Sequence, residues 1–206
     1  MSDVAVTHHA EMGRSSLFLF PTKKLAMWIF IVADAATFAG CLVAYGFLRN
    51  GSLNWPTPFK FYPTVVNAML MTFVLVTSSL TMFLGVRAGK VGNRSAAFRW
   101  VLVTALAGTI FALLHLREWM DLIDKGVRLY ANPWGDRLFG AAFFSITGLH
   151  LLHVTCGVIV LLVIGIRYKA GRFDADDLDI TGLYWHFVDV VWMFVVPLVY
   201  LLNVGR

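Results

Sequence analysis

The chain has 206 residues, of which 59% are hydrophobic and only 14% charged, with a mean hydropathy of +0.73. That excludes an ordinary water-soluble domain. The net charge of +5 sits in short clusters beside apolar runs, a pattern of membrane topology and not of a nucleic-acid surface. Cys41 and Cys156 both fall inside apolar runs, which excludes an extracellular disulfide framework and makes them small packing residues.

Residues 1–22 read as a polar cytoplasmic tail with His8, His9 and Glu11, without the apolar core and cleavage site of a signal peptide. Five apolar runs follow, at 25–48, 61–86, 98–123, 138–166 and 180–205. Each is long enough to cross a hydrocarbon layer of roughly 30 Å. They lack the alternation of barrel strands, so the expected fold is all-α: one integral membrane domain, 23–206, of five transmembrane helices.

The first run carries Asp34 near mid-depth. Ser78 and Ser79 in the second read as small residues that let helices approach closely. Arg117 and Glu118 stand near the end of the third, where snorkelling and pairing lower their cost. The fourth has no charge, but His150 and His153, spaced i and i+3, share a face. The fifth has Asp189 as its only formal charge, three residues after His186, with Trp185 and Trp192 two turns apart.

The connections are short. The 50–60 segment, with Pro56 and Pro58, must be irregular, 87–94 is a basic turn and 124–136 is the longest outer loop. The segment 169–179 reads as a solvated acidic loop, with a proton-collecting surface as the lesser reading. Ten Lys and Arg fall on the side of the amino terminus and six on the other, which places the amino terminus in the cytoplasm and the carboxyl terminus outside.

Four histidines, His115, His150, His153 and His186, lie in apolar runs. Two helices each giving a histidine can hold a b-type haem, and imidazoles also bind copper or zinc. The residues alone leave that open beside the simpler reading, in which the histidines are hydrogen-bonding partners of buried carboxylates.

The stretch 184–194, YWHFVDVVWMF, resembles the last-helix signature of subunit III of the haem–copper oxidases. Four further stretches agree. WIFIVADAATFAG at 28–40 is similar to the family's WLFIxSExxFFxG, with Asp34 at the position of a buried glutamate and Thr37 replacing a phenylalanine. MTFVLVTSS at 71–79 resembles NTxxLLxSS with Met71 for asparagine, and HLREW at 115–119 resembles QxxEW with His115 for glutamine. TGLHLLHVTCG at 147–157 matches TGxHxxHVxxG at every specified position.

The resemblance implies a five-helix bacterial subunit III in the cell membrane. It would be a non-catalytic core subunit of a proton-pumping oxidase that reduces oxygen to water, with cytochrome c the favoured donor and quinol not excluded. No catalytic, cofactor or metal residue is implied here, since haem and copper belong to partner subunits. Subunit I is the implied direct partner, with subunit II, other complex members and bound phospholipid. A nitric oxide reductase small subunit and a free-standing b-type cytochrome are the alternatives. On this reading Asp34, Glu118, His150, His153, His186 and Asp189 form a buried polar structural network. The family's glutamate has a histidine partner in the fourth helix, and the expected contact is Asp34 with His150, direct or through one water.

Overall fold

A computed structural model describes residues 22–205; the expected tail, apart from Thr22, lies outside the described residues, as does Arg206. Five helices are long and apolar enough to span a membrane. We number them α1 (Thr22–Gly51), α2 (Val66–Lys90), α3 (Arg94–Asp124), α4 (Leu138–Lys169) and α5 (Ala175–Val195). An irregular turn, Phe61–Val65, with Tyr62 in extended backbone, leads into α2, and a wide π-type turn, Val196–Tyr200, extends α5 into a tight final turn, Leu201–Asn203.

The helices run past the apolar stretches, because charged residues can occupy the interfacial turns where water meets them. Gly92, at φ +80°, reverses the chain between α2 and α3, a backbone position that favours a residue without Cβ. The Asn93 side chain then accepts from the Ala96 N–H at 3.0 Å and starts α3. At the start of α4, Leu138 N–H donates to Asp136 at 2.9 Å, which holds that exposed carboxyl below its usual range.

The acidic segment is not the plain solvated loop expected at 169–179. Asp174 and Asp177 form a capping box, and Asp176 and Asp177 occupy the first turn of α5. Carboxylates there meet unpaired N–H groups and the positive end of the helix dipole. Their charges are also answered across the bundle: Lys23 reaches Asp177 at 2.8 Å, and Lys24 and Lys90 reach the two oxygens of Asp179 at 2.7 and 3.0 Å. We call this the lysine end and the opposite one the loop end.

Helices α2, α3, α4 and α5 pack into a ring of neighbours, and α1 lies outside it against α4 and α5. Only Ile31, Phe38 and Tyr45 of α1 are buried. Their seven-residue spacing makes a single narrow stripe along one side of the helix. Between α3 and α4 the ring closes on Trp185. A Cβ on Gly157 would stand 3.0 Å from its indole, and one on Gly108 would overlap it. In lipid, tight van der Waals packing of this kind, and not expulsion of water, joins helices.

At the loop end the irregular 52–60 segment folds back on the chain's close. Phe59 N–H donates to Asn203 O at 3.3 Å, Gly205 N–H donates to Phe59 O at 2.9 Å, and Phe59 stacks on Tyr200 with centroids 5.2 Å apart.

Candidate functional site

The buried polar groups of the spans gather at three centres, all touching α4 or α5. The first joins α1 to α4: Asp34 Oδ2 stands 3.1 Å from His153 Nε2. The Nδ1 of that ring lies 2.7 Å from Leu149 O, and the backbone carbonyl of His153 accepts from Tyr184 O–H at 3.0 Å. Phe38 covers the imidazole edge-on at 5.2 Å.

The first and fourth helices are neighbours, as expected, but the histidine facing Asp34 is His153 and not His150. Depth and direction both account for this. Measured from the lysine end, Asp34 lies roughly 18 Å in, His153 roughly 24 Å and His150 roughly 28 Å at 1.5 Å per residue. A step of three residues also turns a helix about 60° away from the starting direction. His150 therefore faces inward, fully buried, with Nε2 3.1 Å from Val188 O of α5.

The second centre joins α2 to α5. Ser79 Oγ and His186 Nδ1 approach to 2.5 Å, and Trp185 N–H donates to Ser78 Oγ at 2.9 Å. The serines expected only to allow close approach are thus hydrogen-bonding partners of the last helix. Thr72, about two turns earlier, accepts from Trp192 N–H at 3.1 Å. Asp189 is 6% exposed, and neither oxygen meets a protein donor among the described residues.

The third centre joins α3, α4 and α5. Glu118, 7% exposed, accepts from Tyr200 O–H at 2.8 Å through Oε2, and the same oxygen stands 3.6 Å from His115 Nδ1. Arg117 is exposed and Glu118 buried, so the expected Arg117–Glu118 neighbourhood divides into a surface cation and a buried acid, both bordering one pocket. His115 and His150 both lie against the Trp192 ring, with centroids 5.4 and 4.9 Å away.

The six expected network residues are all in the bundle interior or at its edge, yet they divide among these centres. Reading the sequence missed Ser79, Tyr200 and Asn203. Ser79 could have been found from the facing tryptophans and histidine, which need hydroxyl partners. Asn203 joins α5 to the loop end by bonding Tyr45 of α1, accepting from Trp55 N–H at 3.1 Å and donating to Val199 O at 2.6 Å. No three His, Cys, Asp or Glu side chains converge as a metal ion requires among the described residues.

Comparison with known proteins gives a consistent result. The sequence model of the cytochrome c oxidase subunit III family matches residues 3–204. Cytochrome c oxidase subunit 3 of Alkalihalophilus pseudofirmus is 33% identical over 186 residues, 89% of this chain and 88% of the relative. Quinol oxidase subunit 3 of Bacillus spizizenii is 28% identical over 207 positions, 99% of this chain and 95% of the relative. The probable cytochrome c oxidase subunit 3 of Mycobacterium bovis is 31% identical over 182 residues, 85% of each chain.

Proposed function

The chain belongs to the cytochrome c oxidase subunit III family, and we propose that it is a non-catalytic core subunit, packed against subunit I, of an oxidase that reduces oxygen to water and pumps protons. The observation that carries this reading is the use made of the stretch 184–194. Tyr184, Trp185, His186 and Trp192 each reach a group on α2 or α4, so these signature residues hold helices together.

This chain holds neither haem nor copper on the proposed reading. In support, His150 and His153, the pair best spaced for a ligand set, face different neighbours, one a carbonyl of α5 and the other a carboxylate of α1. The metals then belong to partner subunits, and subunit II and further members complete the complex. The electron donor is cytochrome c, in keeping with the wording of two of the relatives above, while the quinol oxidase relative marks the other donor class.

The chain is a multi-pass membrane protein. We place the lysine end, and with it the amino terminus, in the cytoplasm, and the carboxyl terminus outside, on the balance of Lys and Arg. The exposed apolar residues of α1, such as Ile29, Val32 and Phe47, and those of α3, such as Leu106 and Leu113, supply surface for subunit I and for phospholipid. Support of proton uptake belongs to the lysine end.

The test is to purify the chain from membranes with a tag on its carboxyl terminus and identify what accompanies it. A haem- and copper-bearing many-helix subunit is expected in equal amount. Removing this chain should leave initial oxygen reduction largely intact while activity decays during turnover. A stoichiometric haem in the isolated chain, lost on His150→Ala or His186→Ala, would overturn the reading in favour of a b-type cytochrome.

A further inference from the structure

The third polar centre has more polar atoms than protein partners. Among the described residues, Glu118 Oε1, both ring nitrogens of His115 and Nδ1 of His150 have no hydrogen-bonding protein group. His115 and His150 are fully buried, and Glu118 nearly so. The three make one contiguous compartment of side chains: both imidazoles lie against Trp192 and also against Phe111, at 5.8 and 5.6 Å, and His115 Nδ1 stands 3.6 Å from Glu118 Oε2. Each unmet polar atom in a core costs about 1–3 kcal/mol, so several together demand a partner that is not protein.

A route to that partner exists. A pocket of about 250 Å³ opens at the loop end and reaches Glu118, lined by Thr64, Asn67, Arg117, Asp121 and Lys125. A larger hollow of about 620 Å³ shares Thr64, Leu122 and Lys125 with it and continues among the loop residues. A water occupies about 30 Å³ and needs two to four polar partners, so the pocket has room for several. On the far side the compartment is closed by the Phe111 and Trp192 rings, 4.8 Å apart, and by Trp185 seated between Gly108 and Gly157.

We propose that this pocket is a water inlet that hydrates Glu118 and His115 from the loop end only, and that these two side chains exchange protons with the aqueous phase there. In the exchange, the Glu118 carboxyl O–H gives its proton to a pocket water, which passes one on to bulk. The carboxylate left behind keeps the Tyr200 O–H as its donor, and His115 takes up or returns a proton through the same water. The groups facing the pair are Tyr200 from the turn after α5, His150 from α4, Asn67 from α2, Arg117 and Asp121 along α3, and Lys125 just past its end.

Two measurements on the chain purified with its accompanying subunits test this. A map of the native protein at water-resolving resolution should show ordered water within hydrogen-bonding distance of Glu118 Oε1 and a His115 nitrogen; a dry contact overturns the proposal. In a Cys41→Ala, Cys156→Ala background, Ag+ applied at the loop face should block His115→Cys within tenfold of the rate for Asn67→Cys at the mouth. Phe111→Cys, one turn deeper on the same helix, should react at least a hundredfold more slowly. Equal rates at 115 and 111, or faster reaction at 115 from the lysine face, overturn it. Co-purification and the haem spectrum show that each variant is assembled, and a dry core leaves the oxidase reading untouched.

Discussion

The contact between Asp34 and His153 shows what a single carboxylate inside the span demands. An acid in hydrocarbon needs a partner, and the His153 imidazole stands 3.1 Å away as a charge-pair contact, although Oδ2 makes no aligned hydrogen bond among the described residues. His153→Leu removes that partner and should destabilise the protein by about 1–3 kcal/mol, the cost of a buried polar group left unmet. Asp34→Asn keeps a hydrogen-bonding side chain and should cost clearly less. His150→Leu leaves the Asp34 contact in place, so its effect should be independent of Asp34. A double-mutant cycle read by thermal unfolding of the detergent-purified protein checks this: coupling between 34 and 153, and none between 34 and 150, is the expected outcome. Tyr200→Phe, which takes the O–H from Glu118 Oε2, belongs to the same class and should cost a similar amount.

Among the elements, α5 is the one that the others are fitted to. It packs against α1, α2 and α4, and Trp185 reaches the glycines of α3 and α4 from it. Trp185→Ala should be among the most damaging single changes, about 3–5 kcal/mol for a large side chain removed from a packed core, with Ser78 losing its indole donor as well. Gly157→Val approaches the same notch from the other wall and should impair assembly similarly. Steady-state amount of the chain in membranes, with co-purification of its partners, is the measurement. Pro197, whose ring cannot continue the hydrogen-bond ladder, lies in the π-type turn that carries Tyr200 to Glu118 and Asn203 to Tyr45.

For the whole molecule the open question is how α1, buried along one stripe only, stays attached. It is fastened at three depths: Lys23 and Lys24 to Asp177 and Asp179 at the lysine end, Asp34 to His153 inside, and Tyr45 and Arg49 to the Asn203 region at the loop end. These fastenings differ in strength. The Lys24 and Lys90 side chains are 35% and 56% exposed, so each contact with Asp179 is worth roughly 0–1 kcal/mol and is screened by salt. Asp179→Asn should therefore have a small effect that disappears at high ionic strength. Asn203 is fully buried and serves several partners, so Asn203→Leu should be far more harmful and insensitive to salt. Unfolding midpoints of both variants at low and high salt distinguish the two kinds of contact.

The sequence by itself determined the five spans, their approximate limits and the family, because span length and apolarity are set by bilayer thickness and the 184–194 stretch is specific. It also marked Glu118, His150 and Asp189, which are buried, since an ionisable side chain in an apolar run has few places to go, whereas Asp34, His153 and His186 are half-buried and His115 and Asn203, both fully buried, were left out of the network. It did not tell which of them would meet. His150 and His153 are equally good partners for Asp34 by spacing, and only the relative depth and rotation of α1 and α4 chose between them. Nor could it show the acidic segment as a helix start held by lysines from α1 and α2, or Ser79 as the partner of His186. Those pairings join residues from 89 to 155 positions apart in the chain. Local pattern fixes where a helix runs and which side chains cannot stay in lipid, whereas partner choice depends on the register between helices, which side-chain packing across the whole ring decides.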